Sequence, residues 1–514
     1  MLTLIENACV VVGDAAGTQH ARTDILVDGD RISAIGQGLR GGISAHHGAT
    51  KVIDAQHSIA IPGLINAHLH SNESFEQGMS EKLPLELWRL RTYPAFGVPP
   101  LTEEDYYLRA LMFGILSIRA GVTTVQDDVI NMACTPASVD GVCRAYRDLG
   151  LRAWVTTSIG DRTLVESHAF LAETLTGGLN NVMGGAAPPP APAQIELFER
   201  NHDRWDGTDN GRIRINIAPR GPQRCSTDLL RRSVATSERY GCAIHTHVLE
   251  TRPQAVMAQR EYGCSMIAHL ADIGFLGPRL TINHGIWLTD DDIALLGKHG
   301  CAVTHNPLSN LKLGSGICRV RDLLAAGIDV ALGTDGLATS DTADMIGVLR
   351  LATMLQSPES PAFDQWIAAH DGFRMATGGG AASGLMGDEL GVLEVGRKAD
   401  IVLLDRRHWG FIPLHDPITQ LAYSAMPDAV QTVIVDGRIV MLDRTIQTID
   451  ETLVRDAIID AAERWRLDVK PLAVAAADLM TPAMTVAYQE AIRAFETEPW
   501  AAPLRNRQRS INAT

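Results

Sequence analysis

The chain has 514 residues, enough for a large catalytic domain and a smaller one. Its 46% hydrophobic and 20% charged residues are typical of a globular protein. A net charge of −15 argues against the basic surface that nucleic-acid binding requires, and no apolar run is long enough to cross a bilayer. The composition therefore predicts no nucleic-acid partner and no membrane partner.

The eight cysteines are scattered, and none forms a Cys-x-x-Cys pair. A chain of this length needs no disulfide bonds to stabilise its core. The first residues also lack a basic segment ahead of an apolar one, which an export signal would show. We therefore expect a cytoplasmic protein with reduced thiols.

Short strands and turns are predicted at both ends of the chain. In residues 24–35, an Asp28-Gly29 turn separates two alternating apolar segments, which is typical of a β-hairpin. The same pattern returns in residues 399–440, around Asp436-Gly437. The two β segments, residues 1–60 and 386–450, are expected to form one small sheet domain.

The middle of the chain, residues 61–385, alternates strand-like runs with helical stretches. This alternation predicts parallel strands, arranged as a closed (β/α)8 barrel or, alternatively, as a doubly wound open sheet. A Gly/Pro-rich loop at 176–193 either borders the site or is a plain linker, and residues 451–514 are predicted to be a C-terminal helical extension. The eight predicted strands begin near Ile61, Val122, Arg152, Ile213, Ala243, Leu280, Ala302 and Val330.

Metal-binding and proton-handling residue types recur where these strands end. Residues two apart on a strand point to one face, so His68 and His70 can reach the same ion. Carboxyl ends of barrel strands converge, and metal-assisted hydrolysis needs imidazole and carboxylate groups at one open site. The residues predicted to meet there are His68, His70, His247, Glu250, His284 and Asp335.

Together, these motifs resemble the amidohydrolase superfamily. The resemblance is to the branch that holds cytosine, guanine, S-adenosylhomocysteine and triazine-type aminohydrolases and chlorohydrolases, and it runs from about residue 1 to 450. The segments that carry it are 62–70, 245–251, His284, 305–313, 333–336 and 391–400.

The resemblance implies a distorted (β/α)8 TIM-type barrel over 61–385, with a β-sandwich domain built from 1–60 and 386–450. It implies one divalent metal ion, zinc or sometimes iron, and relatives commonly form homo-oligomers. Two-metal members carry a lysine on strand four, which is absent from residues 212–219 here. By motif position, the metal ligands are His68, His70, His247 and Asp335.

The catalytic residues implied are Glu250, His284 and Asp335. A metal ion lowers the pKa of its bound water, which produces hydroxide near neutral pH. Asp335 is placed to accept the proton of the water, and His284 to orient the hydroxide. Glu250 can then protonate a ring nitrogen while the adjacent carbon is attacked.

Four residues are candidates for contacts to the substrate. Glu86 and Trp88 resemble the pair that holds ribose and purine in S-adenosylhomocysteine and methylthioadenosine deaminases, although Trp88 could equally be packing. Arg220 stands where nucleoside-type relatives usually carry histidine. Its fixed charge suits a carbonyl-rich or anionic ligand, and pairing with a local acid is the alternative. His305, in the motif 305–313, is the fourth candidate.

The sequence thus predicts a metal-dependent hydrolase of carbon–nitrogen bonds other than peptide bonds, most directly a deaminase of a small N-heterocycle. A hydrolytic dechlorinase or a cyclic-amide hydrolase would use the same site. The remote alternative is a non-catalytic scaffold with the same fold. The intact set of metal-binding residues argues against it.

Overall fold

The structure is a computed structural model that describes residues 2–43, 50–130, 134–175 and 188–505. Most of the predicted Gly/Pro-rich loop, residues 176–187, lies outside this described part. Within it, no helix is long and apolar enough to span a membrane. All eight cysteines are described, and none forms a disulfide bond.

Seventeen strands are formed in the described residues. They are β1 (Leu2–Val11), β2 (Gln19–Asp28), β3 (Arg31–Gly36), β4 (Lys51–Asp54), β5 (Ser58–Pro62), β6 (Leu64–Leu69), β7 (Val122–Val129), β8 (Arg152–Ile159), β9 (Ile213–Pro219), β10 (Ile244–Val248), β11 (Leu280–His284), β12 (Ala302–His305), β13 (Val330–Leu332), β14 (Ile401–Asp405), β15 (Val430–Val435), β16 (Arg438–Leu442) and β17 (Thr445–Ile446).

The main helices lie between and after these strands. In the described residues, the α-helices of six or more residues are α1 (Leu85–Thr92), α2 (Glu103–Arg119), α3 (Ala137–Leu149), α4 (Ala191–Trp205), α5 (Thr227–Tyr240), α6 (Arg252–Tyr262), α7 (Met266–Asp272), α8 (Asp290–His299), α9 (Pro307–Lys312), α10 (Val320–Ala325), α11 (Met345–Met354), α12 (Ala369–Arg374), α13 (Pro417–Tyr423), α14 (Glu451–Arg464) and α15 (Lys470–Thr497).

One mixed sheet is built from both chain ends, as predicted. Its order is β17-β16-β15-β14-β5-β1-β2-β3, with β4 also paired to β1. Both predicted hairpins form, with Gly29 (φ 61°) and Gly437 (φ 73°) in their turns. The antiparallel pair β5–β14 joins the N-terminal strands to the C-terminal ones. The domain boundaries stay a proposal. They are 1–60 plus 386–450 for the β-sandwich domain, 61–385 for the barrel and 451–514 for the C-terminal extension.

The second sheet is the predicted parallel barrel. Its eight strands lie in chain order from β6 to β13, an order that the doubly wound alternative would not give. Beyond β13, the Asp335 N–H donates to the His68 carbonyl at 3.0 Å, and the Thr334 N–H donates to Asn66 Oδ1 at 3.0 Å. These bonds bring the last strand back against the first.

The first barrel strand begins later than predicted. The run from Ile61 is divided, because Ser58–Pro62 pairs in the end sheet and Leu64–Leu69 in the barrel. Gly63 lies between them, and a Cβ there would lie 2.0 Å from Thr123 Oγ1. Only glycine allows the chain to pass this close as it leaves one sheet for the other.

The C-terminal extension is helical, as predicted, through α14 and α15. Apolar residues of α15, including Ala477, Met480 and Met484, pack against Leu90 of α1 in one buried cluster. Burial of this apolar face removes it from water and fixes α15 on α1. The extension therefore supports the helix that carries Glu86 and Trp88.

A buried ion cluster joins the barrel to the end sheet. Arg152, at the start of β8, donates from Nε and Nη2 to Asp400 at 3.1 and 3.0 Å, and from Nη2 to Asp436 at 2.9 Å. We expect Arg152→Met to lower the free energy of unfolding by about 3–5 kcal/mol, because it leaves the buried carboxylate of Asp400 without its cation, whereas Asp436 keeps Lys398 at 3.0 Å. Urea unfolding of the variant measures this loss.

The matched control is Arg407→Met, which removes an exposed pair with Asp405. That change should cost about 1 kcal/mol or less. Equal losses for the two variants would contradict the structural role of the buried cluster.

Candidate active site

The predicted metal ligands come together at the carboxyl end of the barrel. His68 lies in β6, and His70 follows that strand directly. His247 lies in β10, and Asp335 follows β13 within three residues. His68 is fully buried and Asp335 is 3% exposed. Parallel strands deliver these side chains to one place because their carboxyl ends share one face of the barrel.

Their donor atoms face one another over short distances. His70 Nε2 lies 3.3 Å from His247 Nε2 and 3.4 Å from Asp335 Oδ1. His68 Nε2 lies 3.8 Å from the same Asp335 oxygen. Two nitrogens bound to one tetrahedral zinc at 2.0–2.1 Å would be about 3.3–3.4 Å apart. The separation between His70 and His247 therefore fits a shared ion.

Hydrogen bonds set the tautomers of two of these histidines. His70 Nδ1 lies 2.6 Å from the Asp128 carbonyl oxygen, and His247 Nδ1 lies 2.9 Å from the Arg220 carbonyl oxygen. A carbonyl only accepts, so each Nδ1 carries the proton and each Nε2 presents a lone pair. The two Nε2 atoms face each other, and a proton or a metal ion between them removes the repulsion between their lone pairs.

His68 gives a second reason to place a metal ion here. Both of its ring nitrogens are buried and have no hydrogen-bond partner within the described protein. Burial, and then the charges of neighbouring histidines, hold the pKa of His68 well below its usual value, and the same holds for His247. The rings are therefore neutral, which is the form that binds a metal.

The electric field at the cluster also favours positive charge. Burial lowers the pKa of His70, but the carboxylates of Glu73, Asp335 and Asp128 outweigh it and raise the pKa to about 9. Carboxylates that stabilise a proton on a histidine stabilise a bound cation at the same place. The donor set of three imidazoles and one carboxylate thus fits a divalent metal ion.

The predicted proton-handling pair lies beside the metal cluster. His284 Nε2 is 3.9 Å from Glu250 Oε2 and 4.0 Å from Asp335 Oδ2. Glu250 is 3% exposed, and burial raises its pKa to about 7 although His284 opposes the shift. A carboxyl group that keeps its proton near neutrality can act as a general acid.

Backbone strain marks the loops that carry these residues. Leu249 (φ 52°), His284 (φ 73°) and Asp335 (φ 64°) adopt the left-handed conformation, which is uncommon for residues other than glycine. Each such residue costs roughly 1–3 kcal/mol, which the surrounding structure must offset. Strain at three separate strand ends is typical of an active site.

The cluster opens into a cavity that brings seven of the predicted site residues together. They are His70, Trp88, Arg220, His247, Glu250, His284 and Asp335. His68 is buried behind this cavity and does not line it.

Two of the predicted substrate contacts do not line this cavity. Glu86 is buried on α1, where its Oε1 accepts from Thr251 Oγ1 at 2.6 Å. His305 is buried in β12, and burial followed by the charge of His284 lowers its pKa to about 3. A role in binding substrate stays a prediction for both.

The structure adds residues that sequence reasoning did not select. Asn310 Oδ1 lies 2.9 Å from His284 Nδ1 and orients that ring, and Asp128 contacts both His70 and His247. Asp128 is the second-last residue of β7, so its position near a strand end could have identified it. Arg89 and Arg224 also line the cavity, and no motif pointed to them.

Comparison with known proteins agrees with this geometry. The amidohydrolase family model matches residues 59–440. A 5-methylthioadenosine/S-adenosylhomocysteine deaminase from Desulforudis audaxviator is 34% identical over 459 residues, covering 89% of this chain and 97% of the relative.

Solved structures of two further enzymes are similar. A zinc-bound adenosine deaminase from Xanthomonas campestris superposes with a TM-score of 0.79 at 25% identity, covering 90% of this chain and 98% of that chain. A zinc complex of atrazine chlorohydrolase from Arthrobacter aurescens gives a TM-score of 0.77 at 26% identity, covering 90% and 100%.

The chain therefore belongs to the amidohydrolase family. The match spans both the barrel and the histidine and aspartate motifs, so the predicted metal-dependent hydrolase is confirmed at the level of the family.

Proposed function

We propose that the protein is a deaminase of a small N-heterocycle that works with a single zinc ion. The observation that carries this proposal is the buried carboxyl of Glu250 beside His284, at the edge of the histidine cluster. An acid in this position serves a reaction in which a ring nitrogen must gain a proton. The family relative named as a 5-methylthioadenosine/S-adenosylhomocysteine deaminase supports the same reaction.

The proposed metal ligands are His68, His70, His247 and Asp335. When bound, the ion supplies a water of lowered pKa and a positive charge that polarises the reacting carbon–nitrogen bond. Three imidazole nitrogens and one carboxylate oxygen form a common donor set for zinc, and iron is the alternative that accepts the same atoms.

The protein's own groups handle the protons. Asp335 accepts one proton of the attacking water, and His284, whose Nδ1–H donates to Asn310 Oδ1, orients that water by accepting a hydrogen bond at Nε2. Glu250 gives its proton to the ring nitrogen next to the attacked carbon, which spares the ring a full negative charge. When the tetrahedral adduct collapses, Asp335 returns its proton to the amino group, which leaves as ammonia. The added hydroxyl gives its proton to the Glu250 carboxylate as it becomes the carbonyl oxygen of the product.

A flat heterocycle suits the cavity because Trp88 forms part of its wall. An indole face offers stacking to a ring of this kind. We further propose that Glu86 and His305 contact the substrate or hold neighbouring residues in place. The homo-oligomer and the cytoplasmic location stay predictions.

Hydrolytic dechlorination is the second candidate, and the similarity to atrazine chlorohydrolase favours it. The same water could attack a chlorinated ring carbon, and chloride would leave instead of ammonia. Opening of a cyclic amide would need the same groups.

A substrate panel separates these reactions. We expect the zinc-loaded protein to release ammonia from at least one purine, pterin, pyrimidine or aminotriazine, with a turnover number on the order of 1–10³ s⁻¹. Ammonia and chloride are measured in the same reactions. Chloride release alone would replace deamination by dechlorination. A folded protein that binds no metal and releases neither ammonia nor chloride would support the hypothesis of a non-catalytic scaffold.

A further inference from the structure

Three guanidinium groups gather on one wall of the active-site cavity. Arg89 comes from α1, whereas Arg220 and Arg224 come from the segment that follows β9. Arg89 is only 7% exposed, and its Nη1 has no hydrogen-bond partner within the described protein. A buried, unpartnered donor beside a substrate cavity indicates a group that awaits a ligand.

The three side chains are close enough to repel one another. Burial lowers the pKa of Arg89 well below its usual range, and the charges of Arg224 and Arg220 lower it further. The pKa of Arg224 falls to about 10 for the same two reasons, burial and then Arg220. The carboxylates that act on Arg89 and Arg224 are Glu86, whose Oε1 is occupied by Thr251, and Glu250. Asp128 acts on Arg220.

Two other buried arginines of the chain form ion pairs with carboxylates. Arg152 is paired with two carboxylates, and Arg109 lies 3.6 Å from Glu76. Within the described residues, neither Arg89 nor Arg224 forms an ion pair with a carboxylate. Burying a cation without such a partner costs free energy, which a bound anion would recover.

The position of this wall indicates which part of a ligand it would meet. All three arginines also line a second cavity, which shares Tyr93 and Ile130 with the first. Trp465, Val469 and Ala473 of the C-terminal extension form part of its far wall. A substituent that extends from a ring bound near the metal cluster therefore passes the arginines.

We propose that the substrate carries an anionic substituent, a carboxylate or a phosphate, which Arg89 and Arg224 bind together with Arg220. This inference rests on the proposed deamination and narrows its substrate class to anionic heterocycles. Guanidinium groups suit this task because they present paired donors to planar carboxylate or to phosphate oxygens.

Substrate pairs that differ in the anionic group test the proposal. Suitable pairs are pterin with pterin-6-carboxylate, 5-methylthioadenosine with S-adenosylhomocysteine, whose added group carries an ammonium beside its carboxylate, and adenosine with its 5′-monophosphate. The first two pairs report on a carboxylate and the third on a phosphate. For at least one pair, we expect kcat/KM to be about 10- to 100-fold higher for the anionic member, as charged hydrogen bonds allow.

Arg89→Met and Arg224→Met should each reduce this preference by about tenfold or more, chiefly by raising KM for the anionic substrate. Arg89→Lys tests the same position with less risk to folding. Arg214→Met is the matched control, because Arg214 is exposed on β9 and its loss should leave the preference unchanged.

Calorimetry measures the affinity for the anionic compounds directly, so it tests the arginines without requiring turnover. The zinc-loaded protein should bind pterin-6-carboxylate or adenosine 5′-monophosphate more tightly than the arginine variants do. Neutral members deaminated as well as anionic ones, with no effect of either arginine variant, would overturn the inference and leave the deaminase intact. Absence of ammonia from every compound would instead refute the proposed function, and the binding difference would still decide the role of the arginines.

Discussion

Glu250→Gln is expected to lower kcat by about 10²- to 10⁴-fold, the contribution typical of a general acid. The amide has nearly the shape of the carboxyl group but cannot give a proton to the ring nitrogen. The backbone N–H of Glu250 donates to Gln254 Oε1 at 2.8 Å, and this bond survives the change. The loss should therefore come from the chemistry and not from the local fold.

Zinc content is the second measurement on the Glu250→Gln variant. We expect it to equal that of the unchanged protein, because Glu250 faces His284 at 3.9 Å and is not one of the four proposed ligands. Glu238→Gln, on an exposed part of α5, controls for loss of a carboxylate elsewhere. A variant that loses its zinc would show that Glu250 is a ligand, and full activity would remove it from the mechanism.

The pH profile gives the same residue a sharper test. Burial raises the pKa of Glu250 to about 7, so the protonated acid is present below that pH and disappears above it. We expect kcat/KM to fall by about tenfold per pH unit on the alkaline side. This limb should be absent from Glu250→Gln, whose side chain does not titrate. An identical alkaline limb in both proteins would assign it to another group.

His247→Ala should have the largest effect on the metal itself. Removing one of the facing Nε2 atoms leaves the ion with a single nitrogen from that pair. Losing an outer hydrogen-bond partner of a zinc ligand costs roughly 10–100-fold in affinity, so losing a ligand should cost more. We expect zinc well below one equivalent after dialysis, together with loss of turnover.

An exposed histidine provides the control for this second prediction. His57→Ala removes an imidazole from the surface and should leave both zinc content and turnover unchanged. Zinc that remains stoichiometric in His247→Ala would contradict the proposed ligand set. His284, which lies in the same histidine cluster, would then be the alternative ligand.

Much of the site could be predicted because its chemistry is encoded locally. The pair His68 and His70, the segment from His247 to Glu250, and Asp335 each stand at a strand end that apolar periodicity reveals. A parallel barrel then has one place where such ends can meet. Residue type, spacing and strand order were therefore enough to predict that these side chains meet, and their binding of a metal ion stays a prediction.

The residues that escaped prediction act through partners distant in the chain. Asn310 orients His284 across 26 positions, and Asp128 contacts His247 from a different barrel strand. The relation between Asn310 and His284 leaves no pattern in a local window of sequence, whereas the place of Asp128 near the end of β7 was a signal that could have been used. Ile61 and Pro62 pair in the end sheet, whereas Leu64 pairs in the barrel. This division likewise depends on a distant contact, the close approach of Gly63 to Thr123.

The chain by itself determined the class of fold, the family and the donor atoms for a metal ion, because these follow from periodicity and from short motifs at strand ends. Only the tertiary structure decided that Arg89 lies against Arg220 and Arg224 while Glu86 turns to Thr251. The physical reason is that charge balance in a cavity depends on which side chains of separate elements become neighbours. The proposed recognition of the substrate therefore depends on tertiary packing, whereas the residues proposed for hydrolysis could be predicted from the sequence.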